Sequence, residues 1–439
     1  MLRRPDVKEL SRLTKDLDPF RTVGRLRSAR GLLRARLPAF VGETCSVLVP
    51  DSEPLLAEVV GFDENESQLM CFDSTSGLQP GLEIIASGHR RAVPVGKALL
   101  GRVIDGIGRP FDGLGPLTVR NWRPESASVP DPMVRQRITE PLVTGQRVID
   151  GLLTIGRGQR VGLFAGSGVG KSTLLGEIAK GAESDVNVIA LVGERGREVR
   201  PFIEDCLGPR GRERSVVVVA TSDQTPLMRI KAVMTAVTIA EDFRDQGLHC
   251  LFFLDSLTRL AMAQRELGLL LGEPPGSRGY PPSVQSLMAE VLERLGCGDR
   301  GAITGLITVL VEGDDLDEPI TDAARSILDG HIVLNRKLVA QGHYPAVDVS
   351  VSVSRLFREV TEDSHRANAV KLRSMMATYA EISDLIQIGA YKPGSSPQVD
   401  RAVQLMPAIR HFLKQKVDER STFEETLQAL DTLGKTWNW

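Results

Sequence analysis

The sequence predicts an α/β protein, a parallel sheet wrapped in helices, with a small β-barrel before it and a helical domain after it. Three observations carry that prediction. From residue 159 to residue 334, apolar runs alternate with helical stretches, and strands apolar at every position are buried on both faces, as in parallel sheets. Before Val95 the apolar segments are short, closely spaced and broken by turn residues, the pattern of a barrel or sandwich. After Ser364 strand-like runs stop and long helical periodicities take over.

In chain order, residues 1–20 come first. Val7, Leu10, Leu13 and Leu17 recur at three- and four-residue spacing, which predicts a short amphipathic helix whose stripe needs a partner surface. Residues 21–93 form the barrel segment, with strands expected at 45–51, 56–63 and 82–88. Residues 94–364 hold the α/β core, with strands at 159–164, 186–192, 215–220, 250–254, 303–311 and 331–334 and helices that include 226–245 and 283–295. Residues 365–439 are helical, over 369–388 and 399–416, joined by the turn-rich stretch 389–397.

Composition narrows the classes. A chain of 439 residues, 42% hydrophobic and 25% charged, can bury a large core divided among two or three domains. Its five cysteines are scattered, odd in number and without Cys-x-x-Cys spacing, so neither a disulfide framework nor a zinc site is expected and a reducing, cytoplasmic setting is. No apolar run reaches the ~20 residues of a membrane span, so membrane association is expected only through partners. The net charge is −2, yet residues 1–30 carry nine Lys/Arg against four Asp/Glu, a basic start able to meet an acidic partner, anionic lipid or nucleic acid. No basic patch interleaved with aromatics is present, and nucleic acid is not an expected partner.

The richest segment is Ala165-Gly166-Ser167-Gly168-Val169-Gly170-Lys171-Ser172-Thr173, set between an apolar run and a helical one. Strand, glycine turn and helix are what a phosphate-binding loop requires: the glycines let successive N–H groups face a polyphosphate at the positive end of the helix. Lys171 then neutralises the β- and γ-phosphates and Ser172 can hold Mg²⁺. Ala165 stands where the strict pattern has glycine, a departure because alanine reaches positive φ only at a cost.

Two acids close neighbouring strands. Glu194, in Gly193-Glu194-Arg195, is placed to orient an attacking water, unless it sits in a solvated loop. Asp255 ends Leu251-Phe252-Phe253-Leu254 as the Mg²⁺-side acid of phosphate-loop NTPases does, although a terminal Asp also serves as a helix cap.

The core, through Thr144–Gly151, the phosphate loop, Gly193-Glu194-Arg195, Leu254–Arg259, Gly272-Glu273-Pro274-Pro275 and Gly279–Ser283, resembles the catalytic subunits of rotary ATPases. Thr308–Asp315, Asp329–Leu334 and Ile388-Gly389-Ala390-Tyr391 look like the ATPase of type III protein export, over about residues 20 to 435. The resemblance implies a RecA-like core and a homohexamer that hydrolyses MgATP to unload and unfold export substrates. It implies phosphate and Mg²⁺ contacts from Lys171 and Ser172, a catalytic carboxylate in Glu194, a phosphate-facing Arg195, an Mg²⁺-side Asp255, an arginine finger in Arg355 supplied to the neighbouring subunit, and adenine walls from Tyr344 and Phe423. Arg355 could otherwise be a surface ion pair and Phe423 a core ring.

The resemblance also implies a stator-like regulator at the N-terminal helix, a central stalk at the C-terminal domain, and an export gate, chaperones and substrates at the inner face of a bacterial plasma membrane. Two departures stand out. The acidic tip of rotary subunits is replaced by 389–397 with Lys392, and 303–309 carries Gly305-Leu306-Ile307 where an aromatic pair is usual. The wording of 388–396 and Phe412–Gln415 resembles flagellar forms more than injectisome forms. A rotary catalytic subunit and a non-catalytic ring scaffold are the other readings.

Overall fold

The computed structural model describes residues 21–125, 129–311, 315 and 318–436. The helix expected over residues 2–17 lies outside them, as do residues 312–314 of the 308–315 motif. The chain divides into two compact units, one ending at Ala92 and taking in Leu270–Gly272, the other running from Val93 onward.

The first unit is a closed barrel of six strands in the order Val23–Arg30, Leu32–Arg36, Glu66–Cys71, Leu55–Asp63, Glu43–Val47 and Glu83–Arg90, all antiparallel. Leu26, Leu33, Ala35, Val47, Val59, Leu69 and Ile84 fill it. Alternation shows in the first strand. Leu26 points in while Arg25 and Arg27 stay in water, Arg27 beside Glu66 at 3.3 Å.

The second unit is built on a sheet ordered Val353–Ser354, Gly330–Leu334, Arg160–Ala165, Ala302–Leu310, His249–Asp255, Val186–Glu194, Ser215–Thr221 and Val103–Asp105. Along this order all neighbours are parallel except Val353–Ser354 at one edge, and the short strand Gly296–Cys297 pairs antiparallel with Ala302–Leu310. Val188, Ala190, Phe252, Leu254, Ile303 and Val309 have no exposed surface, which is why these strands read as continuous apolar runs. Helix Pro226–Asp245 covers the sheet, opened by Pro226 and capped by Thr225, whose side chain accepts from Met228 N–H. Its Glu241 meets Arg294 in a fully buried bidentate pair of 2.7 and 2.9 Å.

Helices Asp363–Gln387, Pro397–Leu413 and Phe423–Lys435 close the chain, the helical C-terminal part that the sequence predicts. They share one apolar cluster with the α/β core, in which Leu372, Met375, Ile409, Phe412 and Leu430 join Val148, Ile149 and Leu152. Gly151 permits that approach, since a Cβ there would lie 3.0 Å from the Phe412 ring. All five cysteines are free thiols, and among the described residues no helix is long and apolar enough to cross a membrane.

Candidate functional site

The carboxyl ends of Arg160–Ala165, Val186–Glu194 and His249–Asp255 converge on one crevice, where ligands of open parallel sheets bind. Ala165 is the last residue of its strand, in register with Leu310 and Leu334, and its φ is not positive. The position therefore tolerates alanine, and the turn falls to Gly168 and Gly170 at φ +75° and +88°. Helix Lys171–Gly181 starts at Gly170 with no side-chain cap and no acid in its first turn, leaving its amides and positive end for an anion. Ser172 and Thr173 are exposed there.

Lys171 Nζ lies 2.5 Å from Asp255 Oδ1 and 3.3 Å from Glu194 Oε1, all three side chains being largely buried. Burial alone would lower the lysine, but the two carboxylates hold it above its usual range. Burial and then the like charge of Asp255 push Glu194 up, against the pull of Lys171. A register shift between Val192 and Glu194 re-aims the acid, and Gly193 is required at φ +70°, where a Cβ would meet the Arg259 side chain at 2.8 Å. Thr308 Oγ1 lies 2.7 Å from Asp255 Oδ1, fixing the carboxylate from the next strand. Thr308 and Arg259 fall within quoted motifs, but the sequence assigns neither a task at the acids: strand pairing brings Thr308 to Asp255, and helix Leu257–Leu270 lays Arg259 against Gly193.

Beside the loop, a cavity of about 220 Å³ is lined by Val169, Gly170, Thr173, Tyr344, Gln415 and Val417. Tyr344 is 47% exposed and Val417 62% exposed, an aromatic and a branched apolar face available to a planar ligand. The strap carrying Val417 is pinned to the loop helix: Asp418 N–H donates to Glu177 at 2.9 Å and Lys180 pairs with Asp418 at 2.7 Å and Glu177 at 2.6 Å. Phe423 does not line this cavity. Its ring meets His365 edge-on at 6.0 Å, in a groove with Pro141 and Val360, because it opens helix Phe423–Lys435 on the side packed against Asp363–Gln387.

Arg195 sits at the start of helix Gly196–Pro201 with its guanidinium 3.4 Å from Glu198, in solvent. Arg355, next to the edge strand Val353–Ser354, is exposed and donates to Arg325 O at 2.9 Å, away from the phosphate loop of its own chain.

The chain matches the ATP synthase alpha/beta family, nucleotide-binding domain over residues 145–354 and beta-barrel domain over 34–88, and the T3SS EscN ATPase C-terminal domain over 361–432. It is 49% identical to the flagellum-specific ATP synthase of Bacillus subtilis, across 95% of this chain and 96% of that one. It is 48% identical to the type 3 secretion system ATPase of Xanthomonas euvesicatoria, across 90% and 89%. The assembled ATPase EscN of the enteropathogenic Escherichia coli type III secretion system superposes with a TM-score of 0.89 at 44% identity, over 94% of this chain and all of that one. The same protein in complex with its central stalk EscO gives 0.86 at 44% identity, over 94% and 100%.

Proposed function

We propose the following cycle for a chain that belongs to the type III export ATPases of the ATP synthase alpha/beta family. It binds ATP with the phosphates on the amides of Gly166–Thr173 and the adenine between Tyr344 and Val417, and hydrolyses it in a homohexameric ring. The observation that carries the reading is the Lys171 ammonium bridged to both Asp255 and Glu194 at the open start of a helix. A polyphosphate competes for that ammonium, because the carboxylates hold it only until a more highly charged anion arrives. Release of Lys171 leaves Glu194 to orient the attacking water and accept its proton.

Ser172 and Asp255 are oxygen donors of the kind Mg²⁺ prefers. Among the described residues no trio of His, Cys, Asp or Glu could hold a metal alone, which suits an ion bound largely through phosphate and water. Ser172 directly and Asp255 through water would hold it, and it supplies charge neutralisation on the phosphates. Arg355 enters the neighbour's site and meets transition-state charge there, with Arg195 facing the phosphates from its own chain.

The ring takes a central stalk at the C-terminal helices, as EscN does with EscO. It takes a stator-like regulator at residues 2–17 and works on chaperone-bound export substrates at the gate, as a cytoplasmic assembly at the inner face of the bacterial plasma membrane. The flagellar assignment rests on residues 388–396 and Phe412–Gln415 alone, since flagellar and injectisome relatives stand at near-equal identity. The test is a chromosomal Lys171→Ala substitution. It should end phosphate release by the purified chain and stop secretion while the chain accumulates normally; continued secretion at the parental level rejects the reading.

A further inference from the structure

The residues that hold Arg355 in place are not those of its own loop. Gln159, fully buried one residue ahead of the phosphate-loop strand, accepts from Gly156 N–H at 2.8 Å through its amide oxygen. Its amide nitrogen donates to Asp329 O at 2.8 Å and to Ser354 Oγ at 3.2 Å. Asp329 O also accepts Arg355 N–H at 3.0 Å, so one carbonyl is shared by the side chain of Gln159 and the backbone of the finger. The Asp329 carboxylate in turn takes Arg160 at Nε, 3.0 Å, and Nη2, 3.1 Å. Ser354 Oγ completes the fastening by donating to Thr154 O at 2.8 Å.

We propose that Gln159 is a positioning residue for Arg355, riveting the finger strand of each subunit to the base of that subunit's own phosphate-loop strand. Every polar atom of the Gln159 amide is spent on this junction, and none reaches the crevice of Lys171, Glu194 and Asp255. A finger works in the transition state and only from a fixed position, because a displacement of about 1 Å can cost ~10²-fold in rate. Loss of Gln159 should therefore act on the neighbouring subunit's turnover and leave nucleotide binding at its own loop alone. This rests on reading Arg355 as a finger supplied in trans.

Gln159→Leu should lower kcat at least about ten-fold with KM for MgATP within about two-fold, since binding and catalysis separate when only a transition-state contact is lost. Ser354→Ala, which deletes the hydroxyl but keeps the bond from Gly156 to Gln159, should do the same to a smaller degree and stands in if the leucine variant fails to fold. The decisive step mixes Gln159→Leu chains with Lys171→Ala chains, beside a control mixture of Arg355→Ala with Lys171→Ala, subunit exchange being followed by native mass spectrometry. Activity should return in both mixtures, at interfaces where an intact loop meets an intact finger. Recovery in the control alone means that Gln159 serves its own loop, and overturns the proposal, as does a rise in KM at unchanged kcat. Silence in both fully exchanged mixtures overturns the trans reading of Arg355 and this inference with it.

Discussion

Glu194→Gln separates chemistry from binding at this site. Glutamine has the size of glutamate and can still accept from Lys171 across the 3.3 Å gap, so the loop keeps its shape while the carboxylate charge is lost. A positioned general base contributes ~10²- to 10⁴-fold, and kcat should fall by that factor, about 3 to 5.5 kcal/mol of barrier. Nucleotide affinity should hold or tighten, because removing a carboxylate near the phosphates also frees Lys171 to meet them. In the parent chain Glu194 must be ionised to act, and its raised pKa means that the rate declines, as pH falls, at a pH above the ordinary glutamate value of about 4.3. Phosphate release and binding of a fluorescent ATP analogue, each followed across pH, read both quantities. Parental turnover in the glutamine variant, or loss of binding in step with loss of rate, would refute the role given to Glu194.

Tyr344→Ala and Val417→Ala should raise KM for ATP, the tyrosine change by about ten-fold because stacking on a base is worth ~1–3 kcal/mol, while Phe423→Ala should leave KM alone; steady-state kinetics on the three variants checks this. Arg294→Met should destabilise the second unit by about 3–5 kcal/mol, since it strands Glu241 as a fully buried carboxylate, and denaturant unfolding measures it. Asp150, wholly buried, is pushed to about 7 despite accepting from Thr144 and Gly145. The native chain thus keeps a proton there that the unfolded chain releases above about 4, so stability should fall as pH rises from about 4 to 7, and Asp150→Asn should flatten that part of the profile measured by thermal unfolding.

What the sequence discloses is set by the kind of force involved. Helix Pro226–Asp245 coincides with its expected span of 226–245 because a proline and a capping threonine mark its start. The core strands are legible because burial on both faces leaves no polar interruption. In the barrel, Arg25, Arg27, Arg34 and Arg36 break the apolar text of the first two strands, which only their alternating burial reveals. The phosphate loop, Glu194 and Asp255 are legible because each closes a strand. Val417 is not, since its place beside Tyr344 comes from a strap held by Asp418 to Glu177 and Lys180, more than two hundred residues away along the chain. An aromatic residue drew attention to Phe423, yet its ring serves the packing against His365. The expectation at Ala165 erred in assuming positive φ where the chain is still strand.

Under the proposed trans role of Arg355, a subunit without its neighbour lacks a transition-state cation worth ~10³- to 10⁵-fold in comparable sites. Phosphate release per chain, measured across a range of chain concentrations with sedimentation velocity on the same samples, tests the trans-acting ring most directly. The rate per chain should be near zero for the monomer and rise steeply as hexamers form. A monomer as active per chain as the hexamer would contradict it.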